Sequence, residues 1–218
     1  MTFAEELTAL LPPDLPNREA CISGTARHLE LIDEANRHFN LTRIVSPREA
    51  AIKHVLDSVL PWAFFAGAKH IVDVGSGAGF PGIPFAFVFP GAHVTLIEAT
   101  QKKARFLESA VAALGLTNVS VAAVRGEDWL QLNAPPDGIV TARAVAPLER
   151  AVSLFAPALR KGARALLYKG PDAVGEIAHG SQPAARARCR FRIVQEYQLP
   201  DGLGTRVIVE MHLVKAAK

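Results

Sequence analysis

Cysteine is scarce in this sequence. Cys21 and Cys189 lie far apart with no companion spacing, and the seven histidines form no HxxxH pair. A disulfide framework and a zinc site of the CxxC or HxxxH kind are therefore not expected, and a reducing compartment, the cytoplasm, is. Long hydrophobic runs are also lacking. The longest weakly charged stretch, Ile71 to Ile97, is interrupted by Asp73, His93, several glycines and three prolines, so it does not read as a membrane helix. The first residues, "MTFAEELTALLPPD", carry acids where a secretory leader needs basic residues and an apolar core, so secretion is not expected. No strong excess of either charge sign is present, with 24 Lys and Arg against 21 Asp and Glu. An anionic partner is supported only where basic residues cluster. Aromatics make up 7% and do not interleave with basic residues, which excludes a dedicated single-strand stacking module.

What remains is a globular balance, half hydrophobic and 21% charged, over 218 residues. Up to about residue 66 the pattern is helical, with helices expected over Phe3–Leu11, Arg18–Phe39 and Pro47–Phe65. In the second, Ile22, Ala26, Leu29, Ile32 and Ala35 recur every three or four positions and form one apolar stripe. In the third, Ser46 is a helix cap, Pro47 fills the first helical position and Glu49 stands three after the cap. From His70 onward, short runs rich in Val and Ile alternate with helical stretches, as in a parallel sheet with crossover helices. Strands are expected at Ile71–Val74, Val94–Ile97, Val119–Val124, Gly138–Ala142 and Arg164–Tyr168, with helices at Ile83–Phe89, Lys102–Leu114 and Pro147–Leu159. A Pro-, Gly- and Arg-containing segment follows. The closing runs "FRIVQEYQL" and "TRVIVEMHLV" are joined by too few residues for a crossover helix, so the end of the sheet should be antiparallel.

The chemistry centres on "HIVDVGSGAGFPGIPFAF", His70 to Phe87. Glycines after a parallel strand build a ligand crevice at the carboxyl edge of the sheet. A phosphate-binding P-loop needs Lys and Ser or Thr after the last glycine, but Gly79 is followed by Phe80-Pro81-Gly82-Ile83. Gly77, Gly79 and Gly82 formally match the dinucleotide pattern. Its register is wrong, however, and Pro81 removes a backbone donor where a pyrophosphate needs one. Asp73 beside the turn suits a cationic or hydroxyl-bearing ligand better than a diphosphate. Glu98 ends the second strand at the distance where an acid accepts from ribose hydroxyls. Gly126-Glu127-Asp128 follow the third strand; a solvated loop or helix cap is the plain alternative for these acids. After the fourth strand, "GIVTARAVAPLERAV" lacks the Asn/Asp-Pro-Pro-aromatic motif of base-amine methylation, and no Cys stands where a covalent pyrimidine adduct would need one.

The run D-V-G-S-G-A-G resembles motif I of class I S-adenosylmethionine-dependent methyltransferases. More specifically, "NLT" at Asn40–Thr42, "HVLDS" at His54–Ser58, "DVGSGAGFPGIP" at Asp73–Pro84, "KKARFL" at Lys102–Leu107, "ARA" at Ala142–Ala144 and "YKG" at Tyr168–Gly170 resemble the RsmG (GidB) family of bacterial 16S rRNA guanine-N7 methyltransferases. The resemblance implies an α/β fold with a mostly parallel, Rossmann-like seven-stranded sheet and an antiparallel end. An N-terminal helical lobe over 1–66 would precede a methyltransferase domain over 67–218, together one compact unit. It implies S-adenosylmethionine as cofactor, contacted at Asp73, Gly75, Gly77, Gly79, Phe80, Gly126, Glu127 and Arg143, with Glu98 at the ribose and Phe80 covering one side. The implied partner is 16S rRNA or the 30S subunit, the target guanine 527 of the 530 loop by the family's convention, and the protein a monomer. Two departures are visible: no Trp precedes "NLT", and Ala78 stands where the family often has Pro. A small-molecule methyltransferase or a nicotinamide oxidoreductase on a similar fold is the alternative.

Candidate RNA contacts are Asn40, Thr42, His54, Asp57, Ser58, Lys169, Arg186 and Arg188. On a helix, His54 and Asp57 or Ser58 share a face, placed either to orient RNA or to form an internal cluster. Arg186, Arg188, Arg190 and Arg192 alternate, so in an extended chain they project from one side, toward RNA or as a charged edge. Arg143 and Lys169, at strand ends, are candidates for positioning substrate or cofactor. A bidentate Arg on guanine O6 and N7 would block the methylated atom, so Arg143 is expected on the cofactor, O6 or a phosphate. Its plain alternative is a surface pair with Glu149.

Overall fold

The computed structural model describes residues 1–38, 41–44 and 46–214. Helix α1 (Phe3–Leu10) opens with a capping box between Thr2 and Glu5, and α2 (Arg18–Asn36) carries the apolar stripe inward. The third helix was expected to run unbroken to Phe65. Instead α3 (Pro47–Ala50) widens into a π-helical turn over Ala51–Leu56, returns to α over Asp57–Val59 (α4) and ends before a 3-10 turn at Trp62–Phe64. A π turn inserts an extra residue into the helical ladder and is common at functional sites. Here it carries Lys53 and His54.

Seven strands form one sheet in the order β3-β2-β1-β4-β5-β7-β6. They are β1 (His70–Val74), β2 (His93–Ile97), β3 (Val119–Ala122), β4 (Ile139–Arg143), β5 (Arg164–Lys169), β6 (Cys189–Gln198) and β7 (Thr205–Leu213). The first five pair in parallel, and β7 runs antiparallel to both β5 and β6. β1 and β4 are buried along nearly their whole length because helices cover both faces, which is why they read as continuous apolar runs. Chain order reverses at β1 and β4, the switch point where ligand crevices of such sheets open.

On one face, α5 (Gly82–Val88), α6 (Gln101–Ala113) and the N-terminal helices share a core that joins Leu7, Leu29, Ile52 and Val55 to Phe85 and Ile208. The other face is covered by α7 (Gly126–Asn133), α8 (Leu148–Arg160) and α9 (Ala173–Arg186) around Phe155, Leu159 and Met211. Fully burying one such Leu or Phe contributes about 1.5–3 kcal/mol. Helix α9 occupies the Pro-, Gly- and Arg-containing segment, to which the sequence pattern assigns no element. Its inward face consists of Ala173, Gly180 and Ala184, and Gly180 sits so close to Leu148 and Phe191 that a Cβ would approach them at 3.0–3.3 Å. Small residues make that contact possible, and they leave little apolar periodicity to detect. No helix among the described residues is long and apolar enough to cross a membrane.

The expected arginine stripe is not formed. Arg186 is the last residue of α9, Arg188 occupies a turn with φ 56°, and only Arg190 and Arg192 lie in the edge strand β6. Arg192 and Arg164 both pair with Glu210. The helix and turn break the extended conformation on which the alternation depended.

Candidate active site

After Val74 the chain turns through Gly75, Gly77 and Gly79, with φ of 72°, 59° and 103°, a left-handed region open to glycine at little cost. The turn is pinned to β2: Gly75 and Ser76 donate their amides to Ile97 O at 2.8 and 3.0 Å, and Gly77 N donates to Glu98 Oε2 at 3.0 Å. The other oxygen of Glu98 accepts from Thr100 N at 2.8 Å. Glu98 thus braces the turn while its carboxylate lines a cavity of about 150 Å³ with Gly75, Gly126, Glu127 and Val145. Four of the expected cofactor residues therefore meet in one crevice. Gly126 is needed there because a Cβ would lie 2.6 Å from Val74 Cγ1.

Asp73 is fully buried beneath this turn. Its Oδ2 accepts from Gly82 N at 3.0 Å, while Oδ1 has no partner among the described residues. Burial raises its carboxyl to about 6, and the Gly82 amide offsets only part of that effect. The acceptor carboxylates of Glu98 and Glu127 at the cavity, with Asp73 buried beneath the turn, suit a ligand that carries hydroxyls and positive charge and disfavour a diphosphate.

Phe80 departs from its expected place beside the cofactor. Its ring is only 4% exposed, stacked on His54 with centroids 4.7 Å apart and against His28 at 4.9 Å. The Arg143 guanidinium lies 5.6 Å from the ring centroid. Burial lowers both His28 and His54 to about 3, with the Arg143 charge adding to the effect at His54. His28 carried no motif and was missed; only its place on the apolar stripe of α2 marks it.

The residues of "HVLDS" form an internal clamp, with His54 and Asp57 also lining the larger of two cavities. His54, Asp57 and Ser58 are all buried. Ser58 Oγ donates to His54 O, and Tyr168 OH donates to Ser58 O at 2.6 Å. Asp57 Oδ2 accepts from Arg143 Nη1 at 3.2 Å and from Arg206 Nε at 3.3 Å, and its Oδ1 accepts from Tyr197 OH at 3.0 Å. Arg143 also donates to Lys53 O at 2.8 Å, so its partner is Asp57 and not Glu149. Thr42 is half-buried, its Oγ1 3.2 Å from His54 Nε2. Asn40 lies outside the described residues. Tyr197 and Arg206 were not singled out, because nothing local in β6 or β7 shows that they reach a carboxylate 140 or more positions earlier.

Lys169, at the end of β5, lies 2.6 Å from Glu176 and donates to Ala146 O at 2.8 Å. It ties down the loop after β4, where Ala144 adopts φ 56°. That loop divides two cavities. Val145 lines the smaller one, its Cγ2 2.6 Å from where a Cβ on Gly75 would stand. Ala144 lines a larger one of about 390 Å³, walled by Lys53, Asp57, Arg143, Lys169 and Arg206.

Residues 22–202 match the family model "GidB: rRNA small subunit methyltransferase G". A ribosomal RNA small subunit methyltransferase G of Solibacter usitatus is 65% identical over 211 residues, covering 97% of this chain and all of that one. The protein of the same name from Sorangium cellulosum is 43% identical, covering 92% of this chain and 83% of its own. Among solved structures, an O-methyltransferase from Bacillus cereus in complex with SAH has a TM-score of 0.57 at 17% identity, covering 86% of this chain and 91% of that one. The YcgJ protein of Bacillus subtilis has a TM-score of 0.56 at 13% identity, covering 73% and 99%. These two show the fold, that of class I methyltransferases. With its model matched over most of the sequence and a relative 65% identical along nearly all of it, the chain belongs to the family of rRNA small subunit methyltransferase G, a family of enzymes that transfer methyl groups.

Proposed function

We propose that this protein transfers the methyl group of S-adenosylmethionine to N7 of a guanine in 16S rRNA of the small ribosomal subunit, guanine 527 by the family's convention. The observation that carries the reading is the pair of cavities on the two sides of the loop after β4. The smaller is lined by Glu98, Glu127 and glycines and the charged groups of the larger are mainly cations, with Val145 at the edge of the first and the adjacent Ala144 at the edge of the second.

The residues present fit S-adenosylmethionine. Glu98 would accept from the ribose diol, the Gly126–Glu127 start of α7 would take the adenosine part, and Gly75, with no side chain, would allow close backbone approach. Asp73 supplies negative charge beneath the turn through an oxygen no protein group occupies. When bound, the cofactor supplies a methyl group on a positively charged sulfur. Guanine N7 attacks with an in-plane lone pair and has no proton to lose, so alignment matters more than a general base. The site agrees with this: His54 is held neutral by burial and Asp57 is occupied by two arginines. Arg143, held by Asp57 and Lys53 O, would meet the cofactor, guanine O6 or a phosphate in this reading.

The helical lobe over 1–66 and the methyltransferase domain over 67–218 act as one unit in this reading, supported by their shared core and by the Asp57–Arg143 pair across them. The protein works as a cytoplasmic monomer on 16S rRNA or the 30S subunit. Calorimetry with S-adenosylmethionine and NAD, followed by methyl-label transfer to naked 16S rRNA, 30S particles and a metabolite extract, tests the reading. Binding of S-adenosylmethionine alone and label in rRNA support it; binding of NAD alone, or label only in metabolites, overturns it.

A further inference from the structure

The larger cavity holds more positive charge than its carboxylates neutralise. Its lining cations are Lys53, Arg143, Lys169 and Arg206, against Asp57 and Glu176. Lys169 is spent on Glu176 and Ala146 O, whereas Lys53 lines the rim and its ammonium pairs with the partly exposed carboxylate of Glu49, at 2.6 Å, a contact an incoming anion can share. Two guanidiniums are left sharing the single carboxylate of Asp57. Both arginine side chains are largely withdrawn from water, at 18% and 24% exposure. Arg206 uses Nε on Asp57 and Nη1 on Thr205 O, while its Nη2 donates to no group among the described residues. A guanidinium carries five N–H donors, and one that is partly desolvated, held by a buried acid and incompletely matched in charge is a receptor for an anion with several oxygens. The volume, about 390 Å³, lies within the roughly 300–1,000 Å³ range of small-molecule sites.

Resting on the proposed methyl transfer to a guanine of 16S rRNA, we infer that this cavity is a subsite for one whole nucleotide, with the phosphate of the target guanosine held by Nη2 of Arg206 and by Lys53 at the rim. Asp57 positions this contact: it fixes Arg206 from β7 and Arg143 from β4 at one carboxylate, with Tyr197 of β6 steadying its second oxygen. The antiparallel end of the sheet thereby becomes part of the substrate site. The division of labour leaves Arg143 for the base or cofactor and assigns the anion to Arg206.

The test is a titration of the full-length protein with guanosine, guanosine 5′-monophosphate and inorganic phosphate, followed by ligand-observed NMR and repeated in Arg206→Gln and Lys53→Gln. The expected result is that the monophosphate binds at least tenfold tighter than guanosine. That preference should disappear in Arg206→Gln and shrink in Lys53→Gln, with affinity for S-adenosylhomocysteine unchanged in both. Lys53 is on a partly exposed helical surface, so its variant keeps the test decisive if Arg206→Gln does not fold. Equal binding of guanosine and its monophosphate, binding of neither, or a preference that survives both substitutions overturns the inference. rRNA methylation without the phosphate preference removes this inference alone; the preference without rRNA methylation removes the functional reading and leaves the anion subsite standing.

Discussion

The ring of Phe80 and the imidazole of His54 lie parallel, 6° apart in plane with centroids 4.7 Å from each other, and this stack joins the glycine turn to the N-terminal helices. Phe80 belongs to the turn after β1, His54 to the π turn, and His28 of α2 packs against the same ring. The glycine turn and the N-terminal helices are therefore packed together at this point.

Replacing Phe80 with Ala removes the ring that His28 and His54 contact. The loss is expected to cost about 3–5 kcal/mol, as for other buried aromatic truncations. Urea unfolding of Phe80→Ala checks it; a change below about 1 kcal/mol would mean that the stack contributes little.

The same cluster sets a pH dependence. His28 and His54 fall to about 3 in the folded protein from 6.5. Between those values the unfolded chain binds their protons and the folded one does not, so stability is full above pH 6.5 and is lost as pH falls toward 3. Each contributes about 1.4 kcal/mol per pH unit in that window. Asp73, raised to about 6 from 3.8, acts oppositely: below pH 6 its folded form takes up the proton first. Two histidines outweigh one carboxyl, so a net loss of about 2–3 kcal/mol is expected between pH 7 and pH 5. His28→Asn should flatten the profile, measured by urea unfolding at fixed pH steps. A profile equally steep without His28 would contradict this assignment.

The glycine turn and the five parallel strands were legible because each depends on local sequence: Gly75, Gly77 and Gly79 mark left-handed positions, and the Val and Ile runs mark buried strands. Helix α9 was not legible, since Gly180 and Ala184 pack by being small and Pro183 lies within the helix. The π turn at Ala51–Leu56 keeps helical composition and shifts only the ladder. Gly75, Glu98, Gly126 and Glu127 line one cavity because each stands at or just after the carboxyl end of a strand, a position that sequence shows. The roles of Asp57, Phe80, Tyr197 and Arg206 arise from contacts between distant segments that no window of sequence contains. The arginine alternation at 186–192 failed because one helix end and one turn interrupt it.

Gly75→Ala and Gly126→Ala separate conformation from crowding. Gly75 needs φ 72° and has Val145 Cγ2 2.6 Å from its would-be Cβ, whereas Gly126 has no positive φ and its would-be Cβ clashes with Val74 Cγ1 at 2.6 Å and touches Leu154 Cδ1 at 3.5 Å. Both substitutions are expected to weaken S-adenosylhomocysteine binding at least tenfold by calorimetry. Only Gly75→Ala should add an intrinsic backbone penalty of about 1 kcal/mol or more to stability. Unaltered affinity in both variants would place the cofactor elsewhere.

Glu98 accepts from the amide of Gly77 in the glycine turn and from that of Thr100 ahead of α6, so Glu98→Ala leaves both unpaired and is expected to cost about 1–3 kcal/mol. Cofactor affinity should fall further than in Glu98→Gln, which retains one acceptor oxygen. Calorimetry on the two variants reads the difference, and equal affinities would remove Glu98 from ribose recognition.

The central claim is methyl transfer to guanine N7 in small-subunit rRNA. It is tested most directly by incubating the protein and S-adenosylmethionine with 16S rRNA and 30S particles that lack the modification, then treating the RNA with borohydride and aniline, which cut the chain at 7-methylguanosine. A single enzyme-dependent cut at a guanine, absent without cofactor, is the predicted result; methyl label in the RNA with no such cut, or no label in any RNA substrate, would contradict it.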